Sequence, residues 1–381
     1  MKRAIFEPDH EAFRESCRTF VDRTLRPNHE KHMANHGFGR EVWLELGKQG
    51  FLGLNVPEEY GGAGVDDLRY SLILAEELCR LAFSYPSCVG IHTNCIAPYL
   101  VDLCTEEQKQ RWLPGFCTGE LITALAMTEA SGGSDLAALK TRAVRDGEDW
   151  VLNGSKTFIT NGQHANLVIV VAKTDPKEGA KGISLMVIET DDAAGFRRGR
   201  KLKKLGMDWA DTSELFFEDV KLPAEGLLGT QEGQGFIQLM TELPQERVIV
   251  ATAAIGMIER ALTLTIDYVK ERQAFGKKII EFQNTQFVLA ECKSEATIGK
   301  VFHDHCVERH VRGELDTATA SMAKYWLTDL QNSVVDHCLQ LFGGYGYMDE
   351  YPISRMYRDA RVQRIYAGTN EIMKLLIARG L

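Results

Sequence analysis

Several familiar signatures are missing from this 381-residue chain, and each absence removes a class of function. Neither a Gly-x-Gly-x-x-Gly fingerprint nor a P-loop occurs, which counts against a nicotinamide Rossmann enzyme and against a nucleotide triphosphatase. Positive charge is not in excess either. The formal net charge is −9, whereas a nucleic-acid binder rests on basic patches that meet phosphates. The one basic run, Arg197-Arg198-Gly199-Arg200-Lys201-Leu202-Lys203-Lys204, lies between strand-like segments and reads as a solvated strand or loop. No stretch approaches the roughly 18 apolar residues that a membrane span requires, so none is expected.

Cysteines are present but unpatterned. The nine (Cys17, Cys79, Cys88, Cys95, Cys104, Cys117, Cys292, Cys306, Cys338) form no Cys-x-x-Cys and are odd in number, which reads as a reducing compartment. The N-terminus reaches Glu7, Asp9 and Glu11 without a long apolar run, so no leader is expected and the cytoplasm is the expected location. Metal-ligand spacing is also lacking. His32 and His36 would share a helix face, but Met33 stands where a His-Glu-x-x-His site needs glutamate, so a surface helix end is expected there. His303, His305 and Cys306 diverge around a helix. No metal is expected.

What the chain does contain is a three-part layout. Residues 1–120 read as largely helical, with Phe13, Cys17, Phe20 and Val21 on one face and Tyr70, Ile73, Leu74 and Leu78 on another. Residues 121–230 hold short β-favouring runs such as Thr157-Phe158-Ile159-Thr160, Leu167–Val171 and Ile183–Ile188, divided by turn residues such as Asn153-Gly154. No helix-length segment intervenes, so an antiparallel barrel or sandwich is expected. Helical periodicity returns over 231–381. The fold class is therefore α+β and multi-domain.

One stretch, Leu243-Pro244-Gln245-Glu246-Arg247, carries a chemical suggestion. Glu246, Val250, Ala253, Met257, Ala261 and Leu264 follow three- and four-residue spacing, so a carboxylate heads an apolar stripe. Burial would raise its pKa toward neutrality, which suits a general base. Arg247, turned about 100° away, would be free to meet an anionic or carbonyl group. An ordinary reading is also open: Pro244 at N1 and Glu246 at N3, favoured by the positive end of a helix. Glycine-rich breaks occur at Ala126–Asp135 and at Gln340–Tyr347. Each suits either a plain turn or close approach to a phosphate or planar ring.

Together these segments resemble the acyl-CoA dehydrogenase family. The resemblance rests on Thr128-Glu129-x-x-x-Gly133-Ser134-Asp135, Arg272-x-x-Phe275-Gly276-Lys277, Gln283, Gln340-x-x-Gly343-Gly344-x-Gly346, Arg358-Asp359-Ala360 and Gly368-Thr369-x-Glu371-Ile372, in that order over most of the chain. It implies an N-terminal helical domain, a central β domain, a C-terminal four-helix bundle, one FAD per subunit and a homotetramer. Ala126, Met127, Thr128, Gly133 and Ser134 would line the flavin, with Phe158, Ile159 and Thr160 on its other side. Arg272, Phe275, Gln283, Gln340, Leu341, Gly343 and Gly344 would hold the adenosine diphosphate half from a neighbouring subunit, with Thr369 and Glu371 near the first subunit's cofactor. Ser134, Ile237, Pro244, Arg247, Ala367 and Gly368 would border the acyl-CoA.

The implied reaction forms a double bond between Cα and Cβ of an acyl-CoA thioester, with electrons passed to an electron-transfer flavoprotein. An oxidase or monooxygenase on the same fold is the alternative. The chain departs from the family pattern at Ala130 (usually proline), at Phe158 (usually tryptophan) and at Asp208-Trp209 (usually a basic residue). It also has Ala367 where the medium- and short-chain branch carries its catalytic glutamate. In the long-chain and isovaleryl branch that base lies at the position of Glu246. The donor implied for the thioester oxygen is the backbone N–H of Ala367, which losing a side chain does not remove.

Overall fold

The structure is a computed structural model and describes residues 3–381. Its N-terminal part is built from helices α1 (Pro8–Phe20), α2 (His29–Ala34), α3 (Arg40–Lys48), α4 (Leu68–Cys79), α5 (Ser84–Gly90) and α6 (Glu106–Thr118). Their ends follow local chemistry. Asp67 caps α4 by accepting from the Arg69 N–H, and Thr105 with Gln108 closes a capping box on α6. Between α5 and α6 the chain runs through two π-helical turns, Ile91–Ile96 and Tyr99–Leu103. His32 is not at a surface helix end. It is buried, its ring joined to the Tyr85 hydroxyl at 2.8 Å, because α2 folds back onto α5.

The central part is one curled seven-stranded sheet, comprising β1 (Thr123–Ala126), β2 (Arg142–Asp146), β3 (Asp149–Thr160), β4 (Leu167–Lys173), β5 (Ile183–Glu189), β6 (Phe196–Lys201) and β7 (Thr212–Leu222). It is mixed rather than wholly antiparallel. β1 runs parallel to β4, and β2 meets β4 in parallel at Arg142 and Lys173. The crossover that a parallel pair needs is supplied here by the β2–β3 hairpin instead of a helix. In β4, Leu167, Ile169 and Val171 face α6, while Val168, Val170 and Ala172 face the interior of the sheet. A strand buried on both faces reads as a continuous apolar run. The basic run occupies the edge strand β6, where Arg197 lies over the Phe216 ring.

The C-terminal part has three long helices, α7 (Gly235–Glu271), α8 (Gln283–Val311) and α9 (Thr317–Leu341). The fourth position of the bundle is shared by α10 (Pro352–Ala360) and α11 (Asn370–Ala378), both packed on α9. By length and composition α7 would pass for a membrane span, contrary to expectation. Its apolar residues are instead core: Val248, Ala251, Ile255, Met257 and Ile258 pack with Leu72, Ile73 and Leu78 of α4 and Val334 of α9. Burying each large side chain of that kind stabilises by about 1.5–3 kcal/mol. That offsets the ~3 kcal/mol cost of Pro244, which lies inside α7 and not at its first turn.

Candidate active site

With α7 starting at Gly235, Glu246 sits three turns into a continuous helix, and the first-turn reading of this residue falls away. Its carboxylate lies against the π-helical turns of the N-terminal part. The Cys95 thiol donates to Glu246 Oε1 at 3.3 Å. The Tyr99 hydroxyl nearby is buried without a hydrogen-bond partner among the described residues, and burial and the Glu246 charge push its pKa up. π-helical turns are rare and recur at functional sites. Burial raises the Glu246 pKa, partly opposed by the Cys95 hydrogen bond and the charge of Arg247. One turn earlier on the same face, Glu242 is pushed up to about 7 by burial, with Asp102 and Glu246 adding to it. Ile237 and Pro244 do not join this wall. Nine and two residues are about half a turn out of phase at ~3.6 residues per turn, and Ile237 is 61% exposed.

Arg247 is neither solvated nor free to roam. It is buried, one N–H donating to Ser321 Oγ at 3.3 Å while its Nε has no partner among the described residues. A buried, incompletely paired guanidinium is costly unless something else completes it. One turn along α9 from Ser321 is Lys324, also buried, whose ammonium donates to the Gly368 carbonyl at 2.8 Å and to Asn370 Oδ1 at 2.9 Å. Thus α9 bridges the Glu246–Arg247 step to the turn at Ala367-Gly368. In that turn Ala367 holds a left-handed φ of 51° and Gly368 one of 85°. Thr369 then caps α11 by accepting from the Ile372 N–H.

The residues expected on the flavin side cluster at the end of β1 and along β3. Ala126 is buried. The Met127 carbonyl accepts from Lys156 Nζ at 2.9 Å, and the Thr128 carbonyl accepts from the Thr157 N–H at 2.9 Å. Lys156 is fully buried and pairs with Glu129 at 2.9 Å. Burial would raise the Glu129 carboxyl, but hydrogen bonds from Thr141 and Lys140 and the Lys156 charge hold it down at about 2. A shift in register between Lys156 and Ile159 bulges β3, turning Phe158 outward at a φ of 61° and 66% exposed, while Ile159 stays in the core. Thr160 resumes the ladder opposite Thr212. Gly133 and Ser134 lie exposed in the loop beyond, a Cβ on Gly133 meeting the Thr128 side chain at 3.4 Å.

A second cluster lies at one end of the bundle. Strands β8 (Gln273–Ala274) and β9 (Lys277–Lys278) form a hairpin whose two turn residues, Phe275 and Gly276, both have positive φ. Such turns prefer asparagine and glycine, so a phenylalanine held there and 95% exposed signals use rather than packing. Arg272 lies over the Tyr345 ring, which ties the hairpin to the break after α9. There Gln340, Gly343 and Gly344 are exposed, Leu341 is part-buried, and no atom lies within 4 Å of a Cβ added to either glycine. Gln283 opens α8 beside them, exposed, as Glu371 is at the start of α11. No hydrogen bond among the described residues joins this cluster to the flavin-side one.

These donor sets fit FAD: an exposed aromatic beside backbone carbonyls and hydroxyls for a ring, open glycines and an arginine fork for phosphates. Sequence reasoning missed Cys95, Tyr99, Lys156, Ser321 and Lys324. A signal existed for Lys324 alone, since it interrupts the small and apolar stripe Ala320, Ala323, Leu327 and Leu330. The Asp208 departure is also explained: it pairs with Arg358 at 3.1 Å, while Asp359 accepts from the Met207 N–H.

Comparison with known proteins gives the same three parts. Family models for the acyl-CoA dehydrogenase N-terminal, middle and C-terminal domains match residues 7–120, 124–220 and 233–381. Long-chain specific acyl-CoA dehydrogenase, mitochondrial, of Mus musculus is 48% identical over 383 residues, covering 99% of this chain and 87% of that protein. The crystal structure of acyl-CoA dehydrogenase from Geobacillus kaustophilus matches with a TM-score of 0.97 at 47% identity, over 100% of this chain and 99% of that one. A solved structure of the electron transferring flavoprotein of Acidaminococcus fermentans matches with a TM-score of 0.93 at 36% identity, over 98% of each chain.

Proposed function

The chain belongs to the acyl-CoA dehydrogenase family, and from that premise we propose that Glu246 is its catalytic base. The protein is an FAD-dependent acyl-CoA dehydrogenase that converts an acyl-CoA thioester to the trans-2-enoyl-CoA. The observation that carries the role of Glu246 is its place: a carboxylate on a part-buried helix face, with a thiol donor on one oxygen, in a chain whose other candidate position is Ala367.

Removing a proton from the carbon next to a thioester requires a base of adequate proton affinity and donors for the oxygen that gains charge. Burial supplies the first by raising the Glu246 pKa. The main-chain N–H of Ala367 supplies the second, and Arg247, with its unpaired Nε, is placed to complete an acceptor brought by the substrate. FAD, when bound, supplies the acceptor for the β hydrogen, which departs as hydride. Ala126, Met127, Thr128, Gly133, Ser134, Phe158, Ile159 and Thr160 would hold its ring end, and Arg272, Phe275, Gln283 and Gln340–Gly344 its adenosine diphosphate half.

The second set belongs to a neighbouring subunit in this proposal, and the assembly is a homotetramer. Support comes from the exposure of that cluster and from Phe287, Ile298 and Val301, exposed apolar residues that fall on one stripe of α8. The electron acceptor is an electron-transfer flavoprotein, and the nine free cysteines support a reducing compartment such as the cytoplasm.

The test is anaerobic addition of acyl-CoA to the yellow protein. The unsubstituted enzyme bleaches. Glu246→Gln keeps FAD and binds acyl-CoA but bleaches at least ~10²-fold more slowly, the contribution of a positioned base. Bleaching at the native rate would refute the assignment.

A further inference from the structure

We infer that Lys324 is a positioning residue for the dehydrogenation: its buried ammonium group clamps the Ala367-Gly368-Thr369 turn in the left-handed conformation that leaves the Ala367 amide free for the thioester carbonyl. The inference rests on the reading of that amide as the oxygen's donor.

Two independent features support the clamp. The first is the turn itself. Ala367 has a Cβ and yet adopts a φ of 51°, a conformation that costs a non-glycine residue free energy and persists only where its surroundings enforce it. The preceding amides, of Ile365 and Tyr366, both return to the Val362 carbonyl, and the Ala367 N–H finds no acceptor among the described residues. A main-chain donor left unmade in a part-buried turn implies an external partner.

The second feature is the lysine. Lys324 has no exposed surface, an arrangement in which a charge is expensive unless it is fully bonded. Its Nζ donates to the Gly368 carbonyl and to Asn370 Oδ1. The Asn370 amide nitrogen in turn shares its two N–H bonds among the Tyr325 carbonyl, Thr328 Oγ1 and Asp329 Oδ1, all within 3.2 Å. The turn is thereby tied to α9 on both sides of Thr369. Burial, with the Arg247 charge adding to it and Asp329 and Glu371 opposing, brings the ammonium down to about 7. A structural core position would be filled at lower cost by methionine, which is also why methionine makes a suitable test.

The experiment reads the carbonyl directly. The holoenzyme is given an enoyl-CoA labelled with ¹³C at the thioester carbon, and the carbonyl stretch is recorded by difference infrared spectroscopy. In the unsubstituted protein the band lies below its position in water. Lys324→Met should return most of that shift and lower kcat by ~10-fold or more, as loss of an oxyanion donor does, with little change in KM. Lys324→Gln, which keeps a donor, should restore part of both. Ala367→Gly, which removes the cost of the left-handed φ, should rescue part of the loss in the Lys324→Met background. If Lys324→Met does not fold, Lys324→Gln and its Ala367→Gly double variant carry the same readings. A folded, FAD-bound Lys324→Met with the native band position and native kcat overturns the inference. Glu246→Gln separates the two readings, because it should keep the shifted band although it does not turn over. No shifted band in any protein, the unsubstituted one included, would overturn both the amide's role and the clamp that serves it.

Discussion

The thiol of Cys95 and the carboxylate of Glu246, 151 residues apart, meet at 3.3 Å across the junction of the helical parts. The thiol stabilises the ionised carboxylate, so it lowers a pKa that burial has raised. With Glu246 as the proposed base, activity needs the ionised form and is lost as pH falls through that pKa. Cys95→Ala removes the donor, raises the pKa further and should move the acid limb of kcat/KM to higher pH. The displacement is expected to be modest, because a thiol is a weak donor. Cys95→Ser should return it toward the native position. A pH–rate profile unchanged in Cys95→Ala would mean that the contact does not tune the base.

Lys156 and Glu129 should matter to both stability and cofactor retention. The Glu129 pKa is depressed to about 2 from an ordinary 4.5, so its contribution is fully present above about 4.5 and is lost as pH falls toward 2. Glu129→Gln should therefore flatten the fall of Tm with pH in that window. At neutral pH it should cost about 3–5 kcal/mol, since it strands a buried ammonium. Lys156→Met frees the Met127 carbonyl and should also loosen FAD, measurable by ultrafiltration of the flavin. Full retention at native affinity would show that the pair serves folding alone.

Arg272→Ala should weaken FAD retention by roughly tenfold or more, the worth of a charge-assisted hydrogen bond to phosphate. Because the proposed site is shared, dilution below the assembly's dissociation constant should release flavin in step with the loss of tetramer, followed by light scattering and flavin fluorescence. Monomers that keep all their FAD would contradict sharing.

Moving the carboxylate is a sharper test of the site's geometry. Glu246→Ala combined with Ala367→Glu should recover part of the anaerobic bleaching that Glu246→Ala alone abolishes, provided both positions serve one α carbon. No recovery in a folded, FAD-bound double variant would show that the turn and α7 do not converge on it.

Much of this protein was readable in order along the chain. The α, β, α layout, the apolar stripe beginning at Glu246 and the glycine-rich breaks at 126–135 and 340–347 depend on spacing over a few residues, which secondary-structure periodicity and turn chemistry dictate locally. The tertiary structure alone decided the rest. Pro244 signalled a helix start, yet burial of Val248, Ala251 and Ile255 carries α7 through it. β1 and β4 pair in parallel because the hairpin between them lets them. The spacing around His32 suggests a surface helix end, and the fold buries it. Cys95, Lys156 and Lys324 acquire roles only because chain distant in sequence brings a carboxylate or a carbonyl to each. Desolvation and hydrogen bonding depend on what lies within a few ångströms in space, and for these residues those neighbours are 151, 27 and 44 positions away.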